Sequence, residues 1–159
     1  MNHHSNCPTY IQPSCPNTIE ALEKTMRGEA EADEFYTYLI SMAPDEFQKN
    51  IISEIRDDER KHLNNFQVAY CMLTGHTYVV PKSDIRPPMT YWEGLMQAFK
   101  DEQEAYDFYK SNYICNTNET IKYSYLDALM DEEQHARWFN NLLIRELKEN
   151  SPCHHHSHF

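Results

Sequence analysis

Asp58-Glu59-Arg60-Lys61-His62 and Asp131-Glu132-Glu133-Gln134-His135 spell one pattern, D-E-x-x-H, at two places 73 residues apart. On a helix, residues three apart leave the same face with Cβ atoms about 5–6 Å from each other, so each Glu–His pair can grip one cation. Two such helices can grip two. The same offset relates Glu29 to Glu102, Glu31 to Glu104 and Tyr36 to Tyr109. The strings GEAEADEFY (28–36) and DEQEAYDFY (101–109) read as one motif written twice. A duplicated helical hairpin is the simplest source of such a pattern, and the chain is read as all-α, a four-helix bundle built from two repeated hairpins.

A chain of 159 residues is expected to form one domain with a full core. Its net charge of −11 argues against nucleic acid or an anionic membrane surface as partner, since both reward basic patches. No 18-residue apolar run and no basic leader is visible, so a soluble cytoplasmic protein is expected. Cys7, Cys15, Cys71, Cys115 and Cys153 are odd in number and never form C-x-x-C. That speaks against a zinc ribbon, a rubredoxin module or a compact disulfide framework, and Cys71 and Cys115 are read as buried thiols.

Residues 1–16 lack periodicity and are read as a flexible tail. The bundle is placed over 17–149. Asn17 with Glu20 caps a first helix running to about Met42, with the stripe Ile19, Leu22, Met26, Glu29, Asp33, Tyr36, Ile40 facing inward. Pro44 suits the first turn of a second helix, whose stripe is Ile52, Ile55, Glu59, His62, Phe66, Ala69, Leu73 and whose end is Gly75. From His76 to Met89 the prolines enforce an extended course. Fourteen residues at about 3.3 Å each can travel the length of a bundle, which favours a long crossover over an up-down-up-down arrangement. Thr90 with Glu93 opens a third helix, with Trp92, Leu95, Phe99, Glu102, Tyr106, Tyr109 and Tyr113 inward. Asn116 and Glu119 can start a fourth, with Tyr125, Ala128, Glu132, His135, Phe139 and Leu142 inward. Residues 150–159 form a second tail containing Cys153 and four histidines.

These stripes put four carboxylates and two imidazoles, Glu29, Glu59, His62, Glu102, Glu132 and His135, in the middle layer of the bundle. Burying unpaired carboxylates is costly, and two divalent cations would neutralise them. Mixed imidazole and carboxylate ligation suits iron or manganese, with zinc as competitor. Glu31 and Glu104 leave the stripe and are read as solvated surface. Asp33 is read as an acid supporting the site, an extra ligand, or a partner of a core tyrosine. Trp92, Phe99, Phe66, Phe139 and Trp138 are read as core or dimer packing, and His76 as a loop residue.

One Glu on each of two helices with E-x-x-H on the other two resembles the di-iron carboxylate proteins of the ferritin-like superfamily. G-E-x-x-A-x-x-x-Y with Glu29 and Tyr36, and D-E-x-x-H twice, are similar to the motifs of rubrerythrin and bacterioferritin-type domains over residues 17–149. The resemblance implies two Fe ions, with Mn or Zn as alternatives. Glu59 and Glu132 would bridge them, and Glu29, His62, Glu102 and His135 would complete the ends. It further implies that Tyr36 and Tyr109 hydrogen-bond ligand carboxylates and that Asp58 and Asp131 accept from the other ring N–H of the histidines. Rubrerythrins carry a further glutamate three residues after the helix 3 ligand, where this chain has Ala105. The symmetric six-residue set is therefore closer to a ferroxidase centre, and any electron donor would be a separate protein. The activity implied is oxidation of Fe2+ or reduction of O2 or hydrogen peroxide by a homodimer. The alternatives are a dimanganese catalase and a non-catalytic metal-binding protein, since Cys-, His- and Pro-containing tails on such a core resemble those of some spore-associated proteins.

Overall fold

The computed structural model describes residues 13–15 and 17–149, and the readings of 1–12, 16 and 150–159 as tails lie outside the described residues. Four helices account for the fold: α1 (Thr18–Met42), α2 (Glu46–Thr74), α3 (Tyr91–Cys115) and α4 (Glu119–Glu149). Their starts are set by side chains that satisfy otherwise orphaned N–H groups. Asn17 Oδ1 accepts from Glu20 N at 3.2 Å and its Nδ2 donates to Glu20 Oε2 at 2.8 Å, closing a reciprocal cap. Thr90 Oγ1 accepts from Glu93 N at 3.1 Å. Two starts differ from the sequence expectation. Asp45 caps α2, accepting from Gln48 N at 2.9 Å, so Pro44 precedes the cap and lies outside the first turn. Asn118, whose Oδ1 accepts from Ile121 N at 3.2 Å, serves the start of α4, while Asn116 closes the end of α3. Gly75 ends α2 at φ 75°, the left-handed conformation that glycine adopts without a Cβ penalty.

Helix α1 lies beside α2 and α3, and α4 lies beside the same two, so the crossover joins diagonal helices. Residues 77–88 contain no helix. Tyr78 and Val80 pack against the apolar cluster at one end of the bundle and Ile85 against the cluster at the other, so the segment travels lengthwise as its prolines suggest. Arg27 Nη1 donates to Tyr78 Oη at 2.8 Å and helps fix this path. The first cluster is built around Leu22, Met26, Phe66, Ile121 and Tyr125, the second around Leu39, Ile52, Leu95, Phe139 and Leu142.

The inward stripes hold at the six central residues and depart both at the helix ends and at Asp33, Phe99 and Tyr106. Ile19 (43%), Leu73 (41%) and Trp92 (38%) are exposed, as is Trp138, while Ile40, Phe99, Tyr106 and Tyr113 are half-buried. A strict seven-residue repeat on a nearly straight helix rotates by about 20° per heptad, which carries the terminal members off the core. Neither tryptophan therefore belongs to the core; Phe66 and Phe139 do.

The cysteines correct a further expectation. Cys115 is disulfide-bonded to Cys15 across a sequence separation of 100, and Cys71 is an exposed thiol. The start of α1 and the end of α3 meet at one end of the bundle, a juxtaposition that spacing along the chain does not reveal. Closing so long a loop restricts the unfolded chain, and Cys15→Ser or added reductant is expected to lower stability by about 2–4 kcal/mol. A urea unfolding midpoint indifferent to both would show that the bridge adds nothing.

Candidate metal centre

Between the two apolar clusters lies a layer of Glu29, Glu59, His62, Glu102, Glu132 and His135, each no more than 2% exposed. The 3.6-residue turn puts Glu59 beside His62 on α2 and Glu132 beside His135 on α4, while α1 and α3 each present one glutamate from the opposite side. The six side chains form two overlapping groups. Glu29, Glu59, His62 and Glu132 can place one ligand atom each within 4.8 Å of one another, and so can Glu59, Glu102, Glu132 and His135. Glu59 and Glu132 are common to both. His62 Nδ1 lies 3.5 Å from Glu59, 3.4 Å from Glu132 and 3.9 Å from Glu29. His135 Nδ1 lies 3.1 Å from Glu59, 3.6 Å from Glu102 and 3.8 Å from Glu132.

The surroundings hold these groups in place crosswise. His62 Nε2 is 3.0 Å from Asp131 on α4, and His135 Nε2 is 3.4 Å from Asp58 on α2. With Nε2–H donating to a carboxylate, Nδ1 is the nitrogen left to face the glutamates. Tyr109 Oη donates to Glu29 Oε1 at 2.6 Å, and Tyr36 Oη donates to Glu102 Oε1. Each tyrosine thus holds the glutamate of the other repeat, and each aspartate faces the histidine of the other repeat. Burial and the adjoining carboxylates, Glu102 for Tyr36 and Glu29 for Tyr109, hold both phenols well above their usual range, so they stay protonated as donors.

Burial, reinforced by the charges of Glu59 and Glu132, raises the Glu29 and Glu102 carboxyls well above the usual range. Burial also opposes charge on Glu59, but the close approach of the His135 and His62 rings outweighs it and draws the carboxyl down to about 2. The His62 ring is desolvated as well, yet Asp131, Glu132 and Glu59 lift it to about 12, and His135 is raised in the same way by Glu102, Glu132 and Glu59. The carboxylates are therefore close enough to hold a proton on each Nδ1, but none stands in line with the N–H. Glu59 Oε1, Glu132 Oε1, His62 Nδ1 and His135 Nδ1 are buried without an aligned hydrogen-bond partner. Leaving a buried polar group in that state costs about 1–3 kcal/mol apiece. Once the imidazoles give up that proton, cations placed among these four converging atoms would satisfy all of them, so the donor set fits divalent metal ions.

All six residues singled out from the stripes are brought together, as are Tyr36, Tyr109, Asp58 and Asp131. Asp33 is not: it turns to the α1–α2 edge, where Arg60 Nη2 lies 2.8 Å from its Oδ1. Glu31 and Glu104 are exposed, the latter 3.2 Å from Lys100, and His76 is exposed beyond the end of α2. Sequence reasoning did not foresee that Gly28, Ala32 and Ala105 border a cleft of about 380 Å³ leading to the glutamates. Their signal is small size at positions flanking Glu29 and Glu102.

Four helices in this arrangement, with acids and histidines at their centre, define a ferritin-like carboxylate protein. Residues 20–143 match the Rubrerythrin family, and the chain belongs to that family. It is 37% identical over 124 residues to the uncharacterized protein YhjR of Bacillus subtilis, covering 78% of this chain and 85% of that one. A hypothetical protein from Pyrococcus furiosus shares the fold at a TM-score of 0.74 and 22% identity, over 86% of this chain and 94% of its own. The two-domain protein from Anabaena variabilis that contains DJ-1/ThiJ/PfpI-like and ferritin-like domains matches at a TM-score of 0.71 and 12% identity, over 89% of this chain and 40% of its own. Among the described residues no helix is long and apolar enough to cross a membrane.

Proposed function

We propose that this protein is a di-iron oxidoreductase whose ions would be held by Glu29, His62, Glu102 and His135, each from one side, and by Glu59 and Glu132 from both. The observation that carries this is the sharing of Glu59 and Glu132 by both groups of converging donors. Two ferrous ions held there would supply one electron each, enough with two protons to reduce hydrogen peroxide to two water molecules or O2 to hydrogen peroxide. The chain's own contribution is to fix the ligands. Asp131 and Asp58 hold the imidazoles by Nε2, Tyr109 and Tyr36 hold Glu29 and Glu102, and the apolar clusters on either side exclude bulk water. Electrons would come from a separate donor protein, and the working form would be a homodimer.

Aerobic addition of about two Fe2+ per chain is expected to give a near-ultraviolet ferric absorption band with consumption of O2 or peroxide. A bundle that binds no second ion and consumes neither oxidant would leave only a structural role for the site. Rapid O2 release from peroxide with manganese, and none with iron, would mark a catalase instead.

A further inference from the structure

We propose that the seam between α1 and α3 is the passage by which a hydrated divalent cation reaches the glutamates, and that Gly28 leaves it open. The inference rests on the metal-centre reading above and adds how that centre is filled. On the α2–α4 side the layer is closed by the two imidazoles and by the aspartates that face them, with Lys61 3.5 Å from both Asp127 and Asp131. The α1–α3 side is closed at its ends only. At one end Gly94 lets α3 approach so near that a Cβ there would run into Leu39 and stand 2.8 Å from Pro88. At the other, Lys24 Nζ sits 4.2 Å from the centre of the Phe108 ring, beside the Cys15–Cys115 bridge.

Between these closures the two helices face each other with Gly28, Ala32 and Ala105, and a Cβ built on Gly28 meets nothing within 4 Å. The cleft there holds about 380 Å³ and is lined at depth by Glu29, Glu59, Glu102 and Glu132. Glu59 Oε1 and Glu132 Oε1, buried and without aligned partners, belong to the residues at its floor. Peroxide or O2 would need little more than the ~30 Å³ share of one water, whereas a cation with six waters needs about 180 Å³. The cleft has room for either, and its acidic lining is what favours the cation. Glu31 and Asp101 put negative charge on its rim, which draws cations toward a mouth also bordered by Arg86.

The test follows Co2+ uptake by its visible absorption, and its removal by an external chelator, in the full-length protein. Gly28→Phe fills the open space beside α3 and is expected to slow uptake and release alike by about tenfold or more, with the final stoichiometry and equilibrium affinity unchanged. Gly28→Ala should load at the parental rate. Glu31→Gln with Asp101→Asn should slow uptake several-fold at low ionic strength and not at high salt, where rim charges are screened. Parental kinetics in Gly28→Phe would overturn the passage while leaving the metal centre standing, as would an affinity loss with unchanged uptake, the mark of a displaced Glu29. A parent protein that takes up no Co2+ would overturn the metal-centre reading itself, and the passage with it.

Discussion

Filling the site with two divalent ions should release about four protons and make the affinity for metal fall steeply on acidification. The four proton-bearing groups of the metal-free site are Glu29, Glu102, His62 and His135, all raised above their ordinary ranges. The raised ranges favour the proton-bearing form of each, and a group that bears a proton must give it up before its lone pair can reach a cation. Since protons and metal compete, raising the pH favours metal. While all four groups remain protonated in the metal-free form, the apparent binding constant for each ion should rise by about two decades per pH unit. Calorimetric titration with Zn2+ in buffers of different ionisation enthalpy counts the protons directly. Fewer than about one proton per ion, with affinity flat in pH, would mean that the site is not held together by the protons assigned to it. The same loading should raise the unfolding free energy by about 4 kcal/mol per ion at a thousandfold excess over Kd.

Glu132→Ala should abolish paired-metal binding, with affinity falling by at least about 100-fold at both positions, beyond what the loss of a supporting contact produces. Glu132 contributes to both groups of donors, so one substitution removes an oxygen from each ion's surroundings. Glu29 contributes to one group alone. Glu29→Ala is therefore expected to leave about one ion bound, beside His135 and Glu102. Equilibrium dialysis against Mn2+ or Co2+, with circular dichroism to verify the fold, distinguishes the two variants. Equal losses from Glu29→Ala and Glu132→Ala, or a paired signal that survives Glu132→Ala, would refute the bridging role.

The central layer was legible because helical periodicity and the offset of 73 both point to the same six residues. Polar side chains on an apolar stripe stand out once the stripe is drawn. Caps were legible where one local hydrogen bond decides the matter, as at Asn17 and Thr90, and less so where several cap residues compete, as Asn116 and Asn118 do. What spacing could not supply was pairing between distant helices. D-E-x-x-H puts Asp58 four residues before His62, yet Asp58 faces His135, because the aspartate leaves its helix toward the neighbour across the bundle. Asp33 illustrates the same limit: its place in the α1 repeat suggested the interior, but Arg60 and Arg56 on α2 offered it a solvated ion pair at the edge. The Cys15–Cys115 bond depends on which helix ends coincide, a property of the whole packing.

The exchange of supports between repeats means that neither hairpin is a self-sufficient half. Asp58 and Tyr36 lie in the first hairpin but serve His135 and Glu102, while Asp131 and Tyr109 in the second serve His62 and Glu29. A hairpin of this kind standing alone could assemble such a centre only by pairing with a twin. The four contacts therefore bind the two halves of this chain to each other.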